Sequence, residues 1–259
     1  MIKKLIFVLT FFLISLSLFT TISFAKDNNR VRVVVGTTAT EGFPFYCQYG
    51  DVNKDGELSK YRYWNYRKPT GGYCDIYRAG CTMAALAMIQ TYFGDKTTPT
   101  QASKENRFVG CISGVGTKNS DINGFIRPKL IRQGYIVTPD FTDRSYNSTG
   151  GYTGKANLRL LKSFLDRGYI IWAGGKVRYG THFGWSNPGG HAFVITEVDV
   201  QNQTATGYDP TFCIENIKSL SGGKRVFRNV NSLGGDFGCA VKDGIRSCGW
   251  SMLYAMKKR

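Results

Sequence analysis

Seven cysteines and two histidines confine the nucleophilic chemistry open to this 259-residue chain. The cysteines are Cys47, Cys74, Cys81, Cys111, Cys213, Cys239 and Cys248. In an oxidising compartment six can pair, in any of 15 connectivities, and one thiol is left over. The shortest loops would be closed by Cys239 with Cys248 and by Cys47 with Cys74. Cys81 is the strongest candidate for the unpaired thiol. It opens the run CTMAALAMIQTYF (Cys81 to Phe93), and the N–H groups and dipole of a helix start favour a thiolate. Its competing role is half of a disulfide or an inert core thiol.

A thiolate nucleophile needs a base, and only His182 and His191 can supply an imidazole. His191 follows Gly189-Gly190 and opens the apolar run AFVITEV (Ala192 to Val198), which would hold the ring at the rim of a sheet. His182 lies in a glycine-rich, aromatic loop, Thr181 to Gly190, the setting of a rim residue. Asp209 ends the next strand, in Gly207-Tyr208-Asp209-Pro210. If the two strands are antiparallel neighbours, Asp209 falls beside His191, where a carboxylate fixes the tautomer and stabilises the imidazolium. A plain Asp-Pro turn is the alternative for Asp209.

The elements that must position these groups can be read from periodicity. Cys81 to Phe93 is apolar almost all round and uncharged, so it should be an interior helix, stopped at Gly94. Asp121 to Gly134 and Ala156 to Gly168 read as amphipathic helices, each leading into a short strand, Tyr135 to Val137 and Tyr169 to Trp172. Asp140 to Lys155 reads as a polar loop. Strands are expected at Arg30 to Val35, His191 to Val200, Thr204 to Tyr208, Lys224 to Val230 and Gly249 to Met256. The sum is one α+β domain without a clear linker.

Taken in order, Gln48, Cys81, His191 and Asp209 carry a resemblance. The strings FPFYCQYGD (Phe43 to Asp51), AGCTMAALAMIQTYFG (Ala79 to Gly94), LKSFLDRGYIIWAGG (Leu161 to Gly175), GGHAFVITEVD (Gly189 to Asp199) and GYDP (Gly207 to Pro210) bear it. Together they resemble the cysteine peptidases related to bacteriocin-processing enzymes, in the papain superfamily. The GHAFVI string is also similar to the streptopain-type peptidases. The resemblance implies a papain-like fold, with a buried helix carrying Cys81 and an antiparallel sheet carrying His191 and Asp209. It further implies Cys81 as nucleophile, His191 as acid and base, Asp209 as its orienting carboxylate and Gln48 as the oxyanion-hole amide. Where the family often has Gly-Pro-Thr after the cysteine, this chain has Thr82-Met83-Ala84. The implied reaction is hydrolysis of a peptide or protein substrate through a thioester, and it needs no cofactor.

A second motif follows Gln48. Asp51, Asn53, Asp55, Glu57 and Ser59, with Gly56 between them, match the first nine positions of a calcium loop. The twelfth position is Arg62 instead of a bidentate acid, so a structural calcium site and a plain Asx/Gly turn both stay open. Asn147-Ser148-Thr149 and Asn202-Gln203-Thr204 are formal glycosylation sequences, and Tyr61 to Tyr66 is an aromatic, basic cluster.

Composition adds the compartment. Lys3-Lys4, the apolar run Leu5 to Phe19 and Ser23-Phe24-Ala25 form a secretion signal over residues 1–25, with a strand or short pro-segment at 26–42 and the peptidase-like domain at 43–259. A secreted protein is expected, with no membrane anchor once the leader is cut. The leader holds two lysines and no acid, which leaves 32 basic against 18 acidic residues, a net of +14. That excess suits an anionic cell-envelope polymer as a second partner, but no motif marks a specific nucleic-acid site. A monomer is expected. Two other classes fit the same residues: a non-catalytic secreted binding module or toxin of this fold, and a cell-wall amidase or endopeptidase.

Overall fold

A computed structural model describes residues 43–46, 48, 65–67, 73–75, 80–106, 117, 119–177, 189–211, 224–231, 236–242 and 244–259. The expected leader, the 26–42 segment with its expected strand, the calcium-like loop with Arg62, His182, Cys47, Cys111 and Cys213 lie outside these residues. The described elements make a mixed α/β structure with a mostly antiparallel sheet.

Helix α1 (Cys81–Tyr92) is the interior helix that its composition dictates. Every residue from Thr82 to Gln90 is buried, and none is charged. Short helix α2 (Pro99–Glu105) packs beside it. The expected helix from Asp121 is broken into α3 (Asn119–Asp121), a π-helical turn (Ile122–Ile126) and α4 (Arg127–Arg132). The reason is Pro128 at the start of α4, which has no N–H to donate back into the preceding turn. Helix α5 (Leu158–Asp166) is capped by Asn157, whose side chain accepts from the Leu160 N–H at 3.1 Å. Helices α1, α4 and α5 are each followed by a glycine in the left-handed region, Gly94, Gly134 and Gly168.

Strands β1 (Asn65–Arg67) and β2 (Tyr73–Asp75) form a two-stranded ribbon. The remaining strands are β3 (Tyr135–Val137), β4 (Asp143–Tyr146), β5 (Tyr152–Lys155), β6 (Ile170–Val177), β7 (Gly189–Asp199), β8 (Thr204–Tyr208), β9 (Lys224–Phe227), β10 (Cys239–Lys242) and β11 (Ile245–Lys258). They build one nine-stranded sheet, ordered β4-β5-β11-β6-β7-β8-β9, with β3 and β10 also on β11. Only β5 with β11 is parallel among these pairs. Strand β11 is the spine: it meets β10 at Ile245 to Cys248, β5 at Cys248 to Gly249, β6 at Trp250 to Met256 and β3 at Met256 to Lys258.

The stretch 140–155, expected as a loop, is the β4–β5 hairpin. Neither strand alternates polar with apolar residues, because the hairpin lies mostly at the surface. Its glycines serve close approach: a Cβ at Gly154 would run into the Trp250 carbonyl of β11.

Two cores follow from strand alternation. On one face Trp172, Ala192, Val194, Tyr254 and Met256 pack against α1 with Leu86 and Met88. On the other, Ile171, Ala173, Phe193, Ile195, Leu253 and Ala255 pack against Leu158 and Leu161 of α5. The N-terminus of α1, the beginning of β7 and the end of β8 meet in this arrangement, and the candidate residues stand there.

Candidate active site

Cys81 is the first residue of α1. Gly80 precedes it, and the first hydrogen bond of the helix runs from the Ala84 N–H to the Gly80 carbonyl at 2.9 Å. No side chain caps the N–H groups of the first turn, whose partial positive charge stands at the end of the helix where Cys81 lies. The thiol is free and partly exposed. Burial works against its ionisation, but a hydrogen bond to His191, the charge of that ring, the Ala192 N–H and the Thr82 hydroxyl outweigh it and hold the thiol below its ordinary value.

His191 is buried in β7 and pairs across the ladder with Gly175 of β6. Its Nε2 donates to Oδ1 of Asp209 at 2.6 Å. That leaves Nδ1 as the ring nitrogen that can serve Cys81. Burial pulls the imidazolium down, yet the charge and hydrogen bond of Asp209, followed by Cys81, raise it to about 9. The juxtaposition arises from strand pairing, since β7 and β8 run antiparallel with Val194 opposite Tyr208, and Asp209 is the next residue.

Asp209 is fully buried and saturated with donors. Oδ1 accepts from His191, from the Thr211 N–H at 2.9 Å and from the Thr211 hydroxyl at 2.7 Å. Oδ2 accepts from Arg225 Nη1 at 2.9 Å. Burial alone would raise its pKa, but His191, Arg225 and Thr211 hold the carboxyl well below the usual carboxylate range.

Gln48 is buried, and its N–H donates to the Pro210 carbonyl at 2.8 Å, which ties it to the residue after Asp209. The segment before it is held by aromatic stacking: Phe43 lies 4.9 Å from both Tyr92 of α1 and Tyr208 of β8. The four expected catalytic residues thus belong to elements that converge on one place.

Three participants were not foreseen. Thr211 is two residues past Asp209, and Asp-Pro-Thr could have been read as a turn whose hydroxyl returns to the carboxylate. Arg225 and Asp236 had no local signal, because their place depends on the β8–β9 register, Gly207 opposite Arg225. The formal glycosylation residues have turn roles. Asn147 Oδ1 accepts the Gly151 N–H at 2.7 Å in the β4–β5 turn, and Asn202 Nδ2 donates to Asp199 at 2.6 Å in the β7–β8 turn. Among the described residues no acidic, cysteine or histidine cluster suits a metal ion. None of the described helices is long and apolar enough to cross a membrane.

The model of the Peptidase_C39 like family matches residues 58–230, the span that contains Cys81, His191, Asp209 and Arg225. The chain belongs to this family. Membership indicates a cysteine peptidase acting on a peptide substrate. No curated protein and no solved structure gives a significant match. The match leaves Gln48 and the whole of β10 and β11 outside it. The family span therefore holds Cys81, His191 and Asp209, while the spine of the sheet is supplied from beyond it.

Proposed function

We propose that the protein is an exported, papain-like cysteine peptidase that cleaves peptide bonds through a thioester on Cys81. The observation that supports this most is the run of contacts from the helix-mouth thiol to His191 and on to buried Asp209. A lowered thiol beside a raised imidazole favours the thiolate–imidazolium pair, the form that serves as nucleophile and acid.

In the first half-reaction the Cys81 thiolate attacks the scissile carbonyl. The oxyanion is received by the Cys81 N–H at the start of α1 and the Gln48 side-chain amide. Such donors are worth about 3 kcal/mol each in the transition state. His191 gives its proton to the leaving amine as the C–N bond breaks, and a thioester remains. In the second half the neutral imidazole takes a proton from water, the hydroxide attacks the thioester, and the acid product leaves with the thiolate restored. Asp209 keeps Nε2 occupied throughout, so Nδ1 is always the nitrogen that exchanges the proton.

Export is supported by the leader and by the disulfide between Cys239 and Cys248, a bond that persists in an oxidising compartment. A +14 chain outside its leader would also stay close to an anionic envelope.

Labelling with an epoxysuccinyl warhead, located by peptide mass spectrometry, tests the scheme. Cys81 is expected to be the labelled residue in wild type. Label should be lost in Cys81→Ala and reduced about a hundredfold or more in His191→Ala. Labelling elsewhere, or undiminished labelling without His191, overturns it.

A further inference from the structure

The acyl-transfer scheme gives no task to Asp209 Oδ2, the oxygen turned from His191, although a full positive charge is fixed on it. Arg225 Nη1 donates to it at 2.9 Å, and the pair is shielded from water, with the two side chains 11% and 0% exposed. Arg225 is held from other sides as well. Its Nη2 donates to Asp236 Oδ1 at 3.3 Å, and its guanidinium carbon lies 4.8 Å from the centre of the Phe227 ring. Asp236 is anchored in turn, since its Oδ2 accepts the Arg228 N–H at 2.6 Å and its own N–H donates to the Arg228 carbonyl. Opposite Arg225 in the ladder stands Gly207, which presents no side chain between the guanidinium and Asp209 two residues on.

A tie between β8 and β9 could be made by any polar pair, but a charge of fixed sign on this carboxylate has a consequence for the chemistry. His191 is an imidazolium before the leaving group departs and an imidazole afterwards. With no other cation, Asp209 would become a lone buried anion at that moment, and its field would draw the proton back. Arg225 brings a guanidinium charge that accompanies Asp209 in both states. It also occupies Oδ2, which leaves Oδ1 turned to Nε2.

We infer that Arg225 is a positioning residue of the reaction: it holds Asp209 ionised and oriented while His191 gives up its proton, and so limits how tightly the imidazole holds that proton. The inference rests on the acyl-transfer reading above. Among the described residues, the charged or titratable groups disposed about the imidazole are Cys81 from α1, Asp209 beyond β8, Arg225 in β9, Asp236 before β10 and Lys176 of β6, which faces Gly190 across the ladder.

Two histidines in the whole chain make the test direct. In the intact protein, imidazole-detected 15N NMR shows two ring systems, and His191→Asn identifies one by its loss. Arg225→Met is expected to raise the His191 midpoint by at least half a pH unit, about a threefold tighter hold on the proton, and Arg225→Lys to return it to within 0.2 of wild type. A midpoint in folded Arg225→Met that is unchanged or lower overturns the inference. If that variant does not fold, Arg225→Gln, which keeps an N–H for Asp209 without the charge, carries the same comparison with the same two outcomes. Cys81→Ser reports on the acyl-transfer reading separately. That reading requires the His191 midpoint to move when the thiol is lost, and an unmoved midpoint defeats it whatever Arg225→Met does.

Discussion

At His191 the two ring nitrogens have unequal duties, and the pH behaviour follows from that division. Nε2 is engaged by Asp209, so Nδ1 carries the exchangeable proton, held up to about pH 9. The thiol ionises below its ordinary value. Hydrolysis should therefore rise as the thiolate forms on the acid side and fall as the imidazolium is lost near pH 9. Asp209→Asn removes the largest force raising the imidazole. The alkaline limit should then move down by a unit or more and kcat fall by about 10²- to 10⁴-fold, read from a pH–rate profile. Gln48→Ala acts elsewhere. It should lower kcat by about 10²- to 10³-fold while the pH dependence of Cys81 alkylation by iodoacetamide stays unchanged, because the oxyanion exists only during reaction. The meeting of Cys81, His191 and Asp209 was legible because each sits in a short string: cysteine at a helix start, Gly-Gly-His before an apolar strand, Asp-Pro after one. Arg225 was not, since no string near it refers to Asp209.

Among the elements, α1 was the most legible and carries the heaviest packing. A helix without a charged face has nowhere to go but inside, and all but its ends is buried. Leu86→Ala should cost about 2–5 kcal/mol in chemical denaturation, the range for truncating a fully buried leucine. Strand β8 is controlled by one residue. A Cβ at Gly207 would run into the Val194 carbonyl, where the β7–β8 ladder shifts register between Ile195 and Glu197. Gly207→Ala should thus separate the strands that bring His191 to Asp209, seen as a fall in the His191 midpoint in a protein that keeps its far-UV circular dichroism. What escaped the sequence reading has a common cause. The β4–β5 hairpin lies on the surface and lacks alternation, and the helix expected over Asp121 to Gly134 is interrupted because Pro128 cannot complete its bonding. Burial writes a pattern into a sequence; surface strands and local breaks do not.

For the whole molecule, the α+β class was readable and the sheet order was not, because β11 pairs with strands far from it in sequence. One crosslink pins that strand. Cys239 and Cys248 stand directly opposite each other in the β10–β11 ladder and close a loop of nine residues' separation. Replacing both with alanine should lower stability by about 2–3 kcal/mol in a denaturant titration, the range for so short a loop. Cys81 labelling under native conditions should be kept, because the bond lies in the spine and not in the site. The spine also sets a schedule. Strand β11 is synthesised after every strand it joins, and β5 and β6 have no path to each other until it lies between them. A ribosome-bound chain that stops short of β11 therefore lacks the strand on which β3, β5, β6 and β10 are assembled.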